Sequence, residues 1–107
     1  MTQIEFLQKV QVLRIQMHEN KKNYDNRLTE LARQNKQLVD EENENFAGCK
    51  QQHKEILDNL ADKYHEQVRM AKDKYHDDQH TLDQAMADLK IEYVTEHPNE
   101  NPNQVFY

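Results

Sequence analysis

From Gln3 to His97 the chain carries no proline, and along nearly all of that length one apolar stripe recurs at helical spacing. The stripe starts at Phe6, Val10, Leu13 and Met17, continues through Tyr24, Leu28, Leu31, Leu38 and Phe46, and resumes through Ile56, Leu60, Tyr64, Val68 and Tyr75. It ends at Leu82, Ala85, Leu89 and Tyr93. Its steps average about 3.63 residues, between the 3.6 of an ordinary helix and the 3.67 of an eleven-residue repeat. A strict heptad would average 3.5, so the helices are expected to be nearly straight or wound slightly right-handed. Asn20, Asn35, Glu42, His53 and Asp78 interrupt the stripe and weaken the seam.

The same period explains a near-duplication. Asp62-Lys63-Tyr64-His65-Glu66 returns as Asp73-Lys74-Tyr75-His76-Asp77, eleven residues on. Eleven residues make three turns with about 20° left over, so both copies fall on one face, about 16 Å apart along the axis. No single metal ion can be shared at that separation. The repeat is a footprint of helical periodicity.

Composition agrees with an all-helical chain. Of 107 residues 36% are apolar and 32% charged, with one Gly, two Pro and no Trp. That is too little apolar material for a many-layered core and too few turn formers for a fold with many turns. The first helix has a clear start: Thr2 and Glu5 fit a capping box, and Met1 and Phe6 occupy the two positions of a hydrophobic staple. His97, preceding Pro98, is disfavoured in the α region, so helix should end near Glu96.

A lone amphipathic helix cannot hide its stripe. Folded back about position 49.5, the stripe pairs with itself: Phe6 with Tyr93, Val10 with Leu89, Met17 with Leu82, Tyr24 with Tyr75, and Asn20 near Asp78. The fold point falls in "NENFAGC", residues 43 to 49, which holds the only glycine. The expected fold is therefore a long antiparallel helical hairpin or coiled coil. It has helix over 3–43, a turn about 43–49 with Gly48 as a left-handed C-cap or turn residue, and helix over 49–96. Residues 1–97 form this helical domain, and 98–107 an extended polar tail ending in apolar residues. The alternative is one continuous helix of about 90 residues in an antiparallel dimer, which gives the same pairings. The poor helix start Cys49-Lys50-Gln51 favours that alternative.

Several function classes lack support. The net charge is −6 and no Lys/Arg-rich face is evident, against the basic stripe that nucleic-acid binding requires. No stretch approaches the ~20 apolar residues of a membrane span, and Glu5, Lys9 and Arg14 break up the apolar run from Ile4 to Met17, which is therefore no signal-peptide core. A single cysteine makes no internal disulfide. Together these features read as a soluble, cytoplasmic protein. There is no serine, no Gly-rich phosphate loop and no recognisable triad, so catalysis is not expected and no catalytic residue or cofactor is assigned.

Three features are candidates for function. Asp73, His76, Asp77 and His80 share one side of a helix and form a weak metal-site candidate. The face from His65 to His80, with His53 on the stripe, could make association respond to pH between about 7 and 5. The tail closes on Val105, Phe106 and Tyr107, suited to capture in a partner's groove or to strand addition.

The leading functional reading is a non-enzymatic assembly, scaffold or adaptor protein, acting through helix packing and its tail on protein partners or on itself. The residues expected to carry it are Phe6, Val10, Leu13, Met17, Leu82, Leu89, Tyr93 and the three apolar tail residues. Extra apolar residues off the stripe widen the arc near both ends, as where more than two helices meet: Ile4, Leu7, Val12 and Ile15, then Met86, Ala87, Ile91 and Val94. The alternative is a metal- or pH-responsive helical module on the His65–His80 face. Small, acidic, helical and tailed, the chain resembles bacteriophage scaffolding proteins and accessory subunits of large complexes, a resemblance of composition and shape.

Overall fold

The structure, a computed structural model, describes residues 1–46 and 48–98. Ala47 and the tail from residue 99 on, with Val105, Phe106 and Tyr107, lie outside the described residues. Two helices make up the fold: α1, Gln3–Asn45, and α2, Lys50–Glu96. Among the described residues there is no strand. The helices pack against one another as an antiparallel hairpin, and the break between Asn45 and Lys50 replaces the continuous helix of the alternative reading.

Helix α1 starts as its capping residues dictate. The Thr2 hydroxyl accepts the Glu5 amide at 3.1 Å, the Thr2 carbonyl accepts the Phe6 amide at 2.9 Å, and Met1 packs onto the core that contains Phe6. Helix α2 starts at Lys50 because Cys49 takes the cap position, its carbonyl accepting the His53 amide at 3.1 Å. Gly48 bends the chain without a positive φ, so it is a turn residue and not a left-handed cap. Helix α2 ends at Glu96, two residues ahead of Pro98.

Two compact units make up the chain, Met1–Lys21 with His76–Tyr107, and Lys22–Tyr75. In the first unit Phe6, Val10, Met86, Leu89 and Tyr93 form a buried cluster, and Leu13 and Met17 pack against it half-buried. Phe6 and Tyr93 stack with centroids 4.2 Å apart, both fully buried. Each contributes about 1.5–3 kcal/mol by leaving water, and the stack adds about 0.5–1.5 kcal/mol. Met86, expected off the stripe, is a core residue. Farther from Tyr93, the Asn20 side-chain amide donates to the Gln79 side-chain oxygen at 3.4 Å, next to Asp78 in sequence.

In the second unit only Leu31 is fully buried among the described hydrophobic residues. Tyr24 and Tyr75 stack at 4.6 Å but remain half-buried. Near the turn, His53 lies 3.0 Å from the Glu42 carboxylate and 4.2 Å, ring to ring, from Phe46. Val39 and Leu57 are half-buried there, whereas the stripe residues Leu38 and Ile56 are 40% and 43% exposed.

These differences share one cause. Antiparallel pairing about position 49.5 makes the steps of α2 the mirror image of those of α1. It sets Leu13 level with Met86, Asn20 with Gln79, Val39 with Leu60, and Glu42 with Leu57. Read separately, each helix offers two adjacent positions at such points. Pairing chooses between them.

Candidate functional site

The stripe residues expected to bind partners serve the hairpin itself. Phe6, Val10, Leu89 and Tyr93 are buried and offer little surface; Leu13, Met17 and Leu82 are half-buried. The outward apolar side chains are those beside the stripe. In the first unit Ile4, Leu7, Val12, Ile15 and Ile91 are exposed, Ile4 by 69% and Ile91 by 64%. At about 100° per residue, Ile4 and Ile15 lie on the back of α1, Leu7 on one flank and Val12 on the other. Between Ile4 and Met17, α1 thus shows apolar side chains on every side, interspersed with Glu5, Gln8, Lys9, Gln11, Arg14 and Gln16, and α2 covers one side.

The Val12 flank borders a groove of about 690 Å³ between the two helices of the first unit. Leu13 and Leu89 form its floor, Val12 and Ala85 its walls, and Glu5, Lys9, Asp88 and Glu92 its charged rim. Three carboxylates against one ammonium give this flank an acidic character.

One end of the first unit is closed by contacts that the sequence pattern did not expose. The Met1 amine pairs with the Glu96 carboxylate at 2.6 Å. The His97 Nε2–H donates to the Met1 carbonyl at 2.7 Å, since a carbonyl can only accept. The His97 ring also stacks on Tyr93 at 4.6 Å. The hydrogen bond to Glu96 raises the pKa of the amine above its ordinary 8.0, with further attraction from Glu96, Glu5 and Glu92, and partial desolvation opposes the rise. The same contact holds the Glu96 carboxyl below its ordinary 4.5. In the mirrored register Met1 is level with Pro98, one residue from His97, which is the one signal the sequence offered.

Other candidates are not brought together. Among the described residues no three His, Cys, Asp or Glu side chains are placed to hold a metal ion. Asp73 accepts instead from Arg69 at 3.2 Å, the Asp77 carbonyl accepts the Thr81 hydroxyl, and His76 and His80 are exposed. His65 is exposed as well. Cys49 is exposed, and the amides of Gln52 and then Gln51 hold its thiol below the usual range. The thiol's place just ahead of a helix N-terminus is the cause, and residue type alone does not signal it. Among the described residues no helix is long and apolar enough to cross a membrane. No family model matches the chain, and neither a curated protein nor a solved structure matches it.

Proposed function

We propose that the protein is a non-enzymatic assembly protein, a scaffold or accessory subunit of the cell interior, that docks on other protein chains through the uncovered faces of its first unit. The observation that supports this most is the segment Ile4 to Met17, whose apolar side chains Ile4, Leu7, Val12 and Ile15 stay exposed outside the seam. Helix-in-groove docking uses such i, i+3 and i+4 anchors, and the groove beside Val12 is its counterpart. The reading moves the contact from the stripe, which the hairpin consumes, to the residues flanking it. The tail from Val105 to Tyr107 remains a second docking element in this proposal.

A photo-crosslinking side chain tests it in the cells that make the protein. Placed at Ile15, it should yield adducts with protein chains. Placed at Met70, 60% exposed in the second unit, it should yield few. Equal adduct levels at the two positions, or none at Ile15, would contradict the proposal.

A further inference from the structure

The covered face of α1 is in helical phase with that of α2 across the break. Along α1 it runs through Leu31, Asn35, Val39 and Glu42, and along α2 it resumes at His53, Leu57 and Leu60. Glu42 and His53 are eleven residues apart, which is three helical turns with about 20° left over. A helix carried straight through residues 46–49 would therefore keep both faces on one side. A hairpin makes no such demand, because its turn aims the second helix whatever number of residues it holds. One residue more or fewer would rotate the two faces apart by about 100° in a continuous helix.

The break is also weakly fixed. Gly48 has no positive φ, and a Cβ there meets nothing within 4 Å, so neither its backbone nor its surroundings require the bend. Residues 46–49 contain no proline, and the cap position falls to Cys49 where Ser, Thr, Asp or Asn would hold a helix start. The Cys49 carbonyl already accepts the His53 amide at 3.1 Å, the i to i+4 bond of a helix interior. Within each unit the seam is mirrored about position 49.5: Phe6 on Tyr93 and Asn20 on Gln79 in the first, Tyr24 on Tyr75 and Phe46 on His53 in the second.

We infer that the chain exchanges helices with a second copy of itself: residues 46–49 become helical, and α1 of each copy packs on α2 of the other in the same register. Each seam contact within a unit then recurs between copies, and the conformational change is confined to the break, the circumstance in which exchange of an identical element is cheap. The phase carries the inference, since only a helix that runs through the break makes use of it. A pair holds two first units, so it presents Ile4, Leu7, Val12 and Ile15 twice and gains in attachment to any surface that binds one set. The exchange itself does not depend on the docking role.

Two variants of the full chain separate the forms. Lys50 is the first residue of α2, where proline is welcome, and the residue before a proline is held in the extended region that a cap uses. Lys50→Pro therefore keeps the hairpin and breaks a continuous helix. Insertion of two alanines after Gly48 lengthens the turn and throws a continuous helix out of phase by about 200°. Each protein is unfolded in urea, refolded at low and at high concentration, and sized by light scattering, with circular dichroism to confirm that helix has returned. The unaltered chain should refold single when dilute and increasingly as pairs when concentrated. A short bismaleimide should link those pairs through Cys49, which lies beside the centre of the mirror. Both variants should give at least about tenfold fewer pairs. Should Lys50→Pro lose helix, the insertion variant decides. A single chain at every refolding concentration, pairs that both variants leave intact, or pairs whose Cys49 thiols do not link would overturn the inference.

Discussion

Both units close their seam with an aromatic stack, and the two stacks meet different fates. Phe6 on Tyr93 is fully buried, with Val10, Met86 and Leu89 around it and Met1 and His97 closing the end. Tyr24 on Tyr75 has nearly the same geometry and stays half-buried, with the small Ala71 as the next seam residue of α2 in its unit. The second unit is held instead by contacts along its helices. Arg33 bonds Glu30, Lys36 bonds Asp40, and Arg69 bonds both Glu66 and Asp73, with Gln34 and Gln37 adding rungs to Glu30 and Glu41. Such i, i+3 and i+4 pairs stabilise a helix without needing a partner, and each is individually weak. The first unit has the better core and also the larger uncovered apolar surface. This segment fills its own seam and still shows isoleucine outward, which is what the proposed docking role draws on.

The contrast can be broken by substitution. Phe6→Ala should cost about 3–5 kcal/mol, since it empties a closed site and removes the stack with Tyr93. Leu31→Ala should cost about 2–3 kcal/mol, the low end for a buried leucine, because its half-open surroundings can relax. Urea denaturation followed by circular dichroism measures both, and an inverted order would undo the distinction between the units. In the turn of the second unit, Gly48→Ala should stabilise by about 0.4–1 kcal/mol through the unfolded chain. A Cβ there meets nothing within 4 Å and the backbone needs no positive φ. A loss of stability would show that the bend requires glycine.

The smallest effect concerns the closed end of the first unit. The amine pKa of Met1 is raised on folding, so its contribution is full below pH 8.0 and fades as pH rises through the raised value. The Glu96 pKa is lowered, so its contribution is full above pH 4.5 and fades as pH falls through the lowered value. The side-chain signals of Glu96 in nuclear magnetic resonance should therefore shift as pH falls through its lowered value, and again as pH rises through the raised value of the amine. Acetylating the amine should remove the alkaline shift and leave that of the Glu96 carboxyl. An alkaline shift that survives acetylation would assign it to another group.

How much of this was legible beforehand follows from what sequence encodes directly. Periodicity and the absence of proline carried the helices, and the mirrored stripe carried the hairpin, because burial of a face is written in residue type. The capping residues Thr2 and Glu5 were equally plain. What escaped depended on partnership. Val39 and Leu38 are both apolar, and only pairing across the seam selects Val39. The cap at Cys49 was hidden because cysteine is a poor cap by type and takes the place by position. For the candidate site, the sequence named Ile4, Leu7, Val12 and Ile15 as an excess but gave the binding role to the stripe. Only the observed burial of Phe6 and Tyr93 shows which set remains outside.

The most direct test compares backbone amide resonances of the isotope-labelled full chain alone and in an unlabelled extract of the cells that make it. If the first unit is the contact surface, shifts and line broadening should gather in residues 3–21 and 83–94, and residues 22–75 should stay unchanged. Changes centred on 22–75, or identical spectra with and without the extract, would contradict an account in which the protein docks through its first unit.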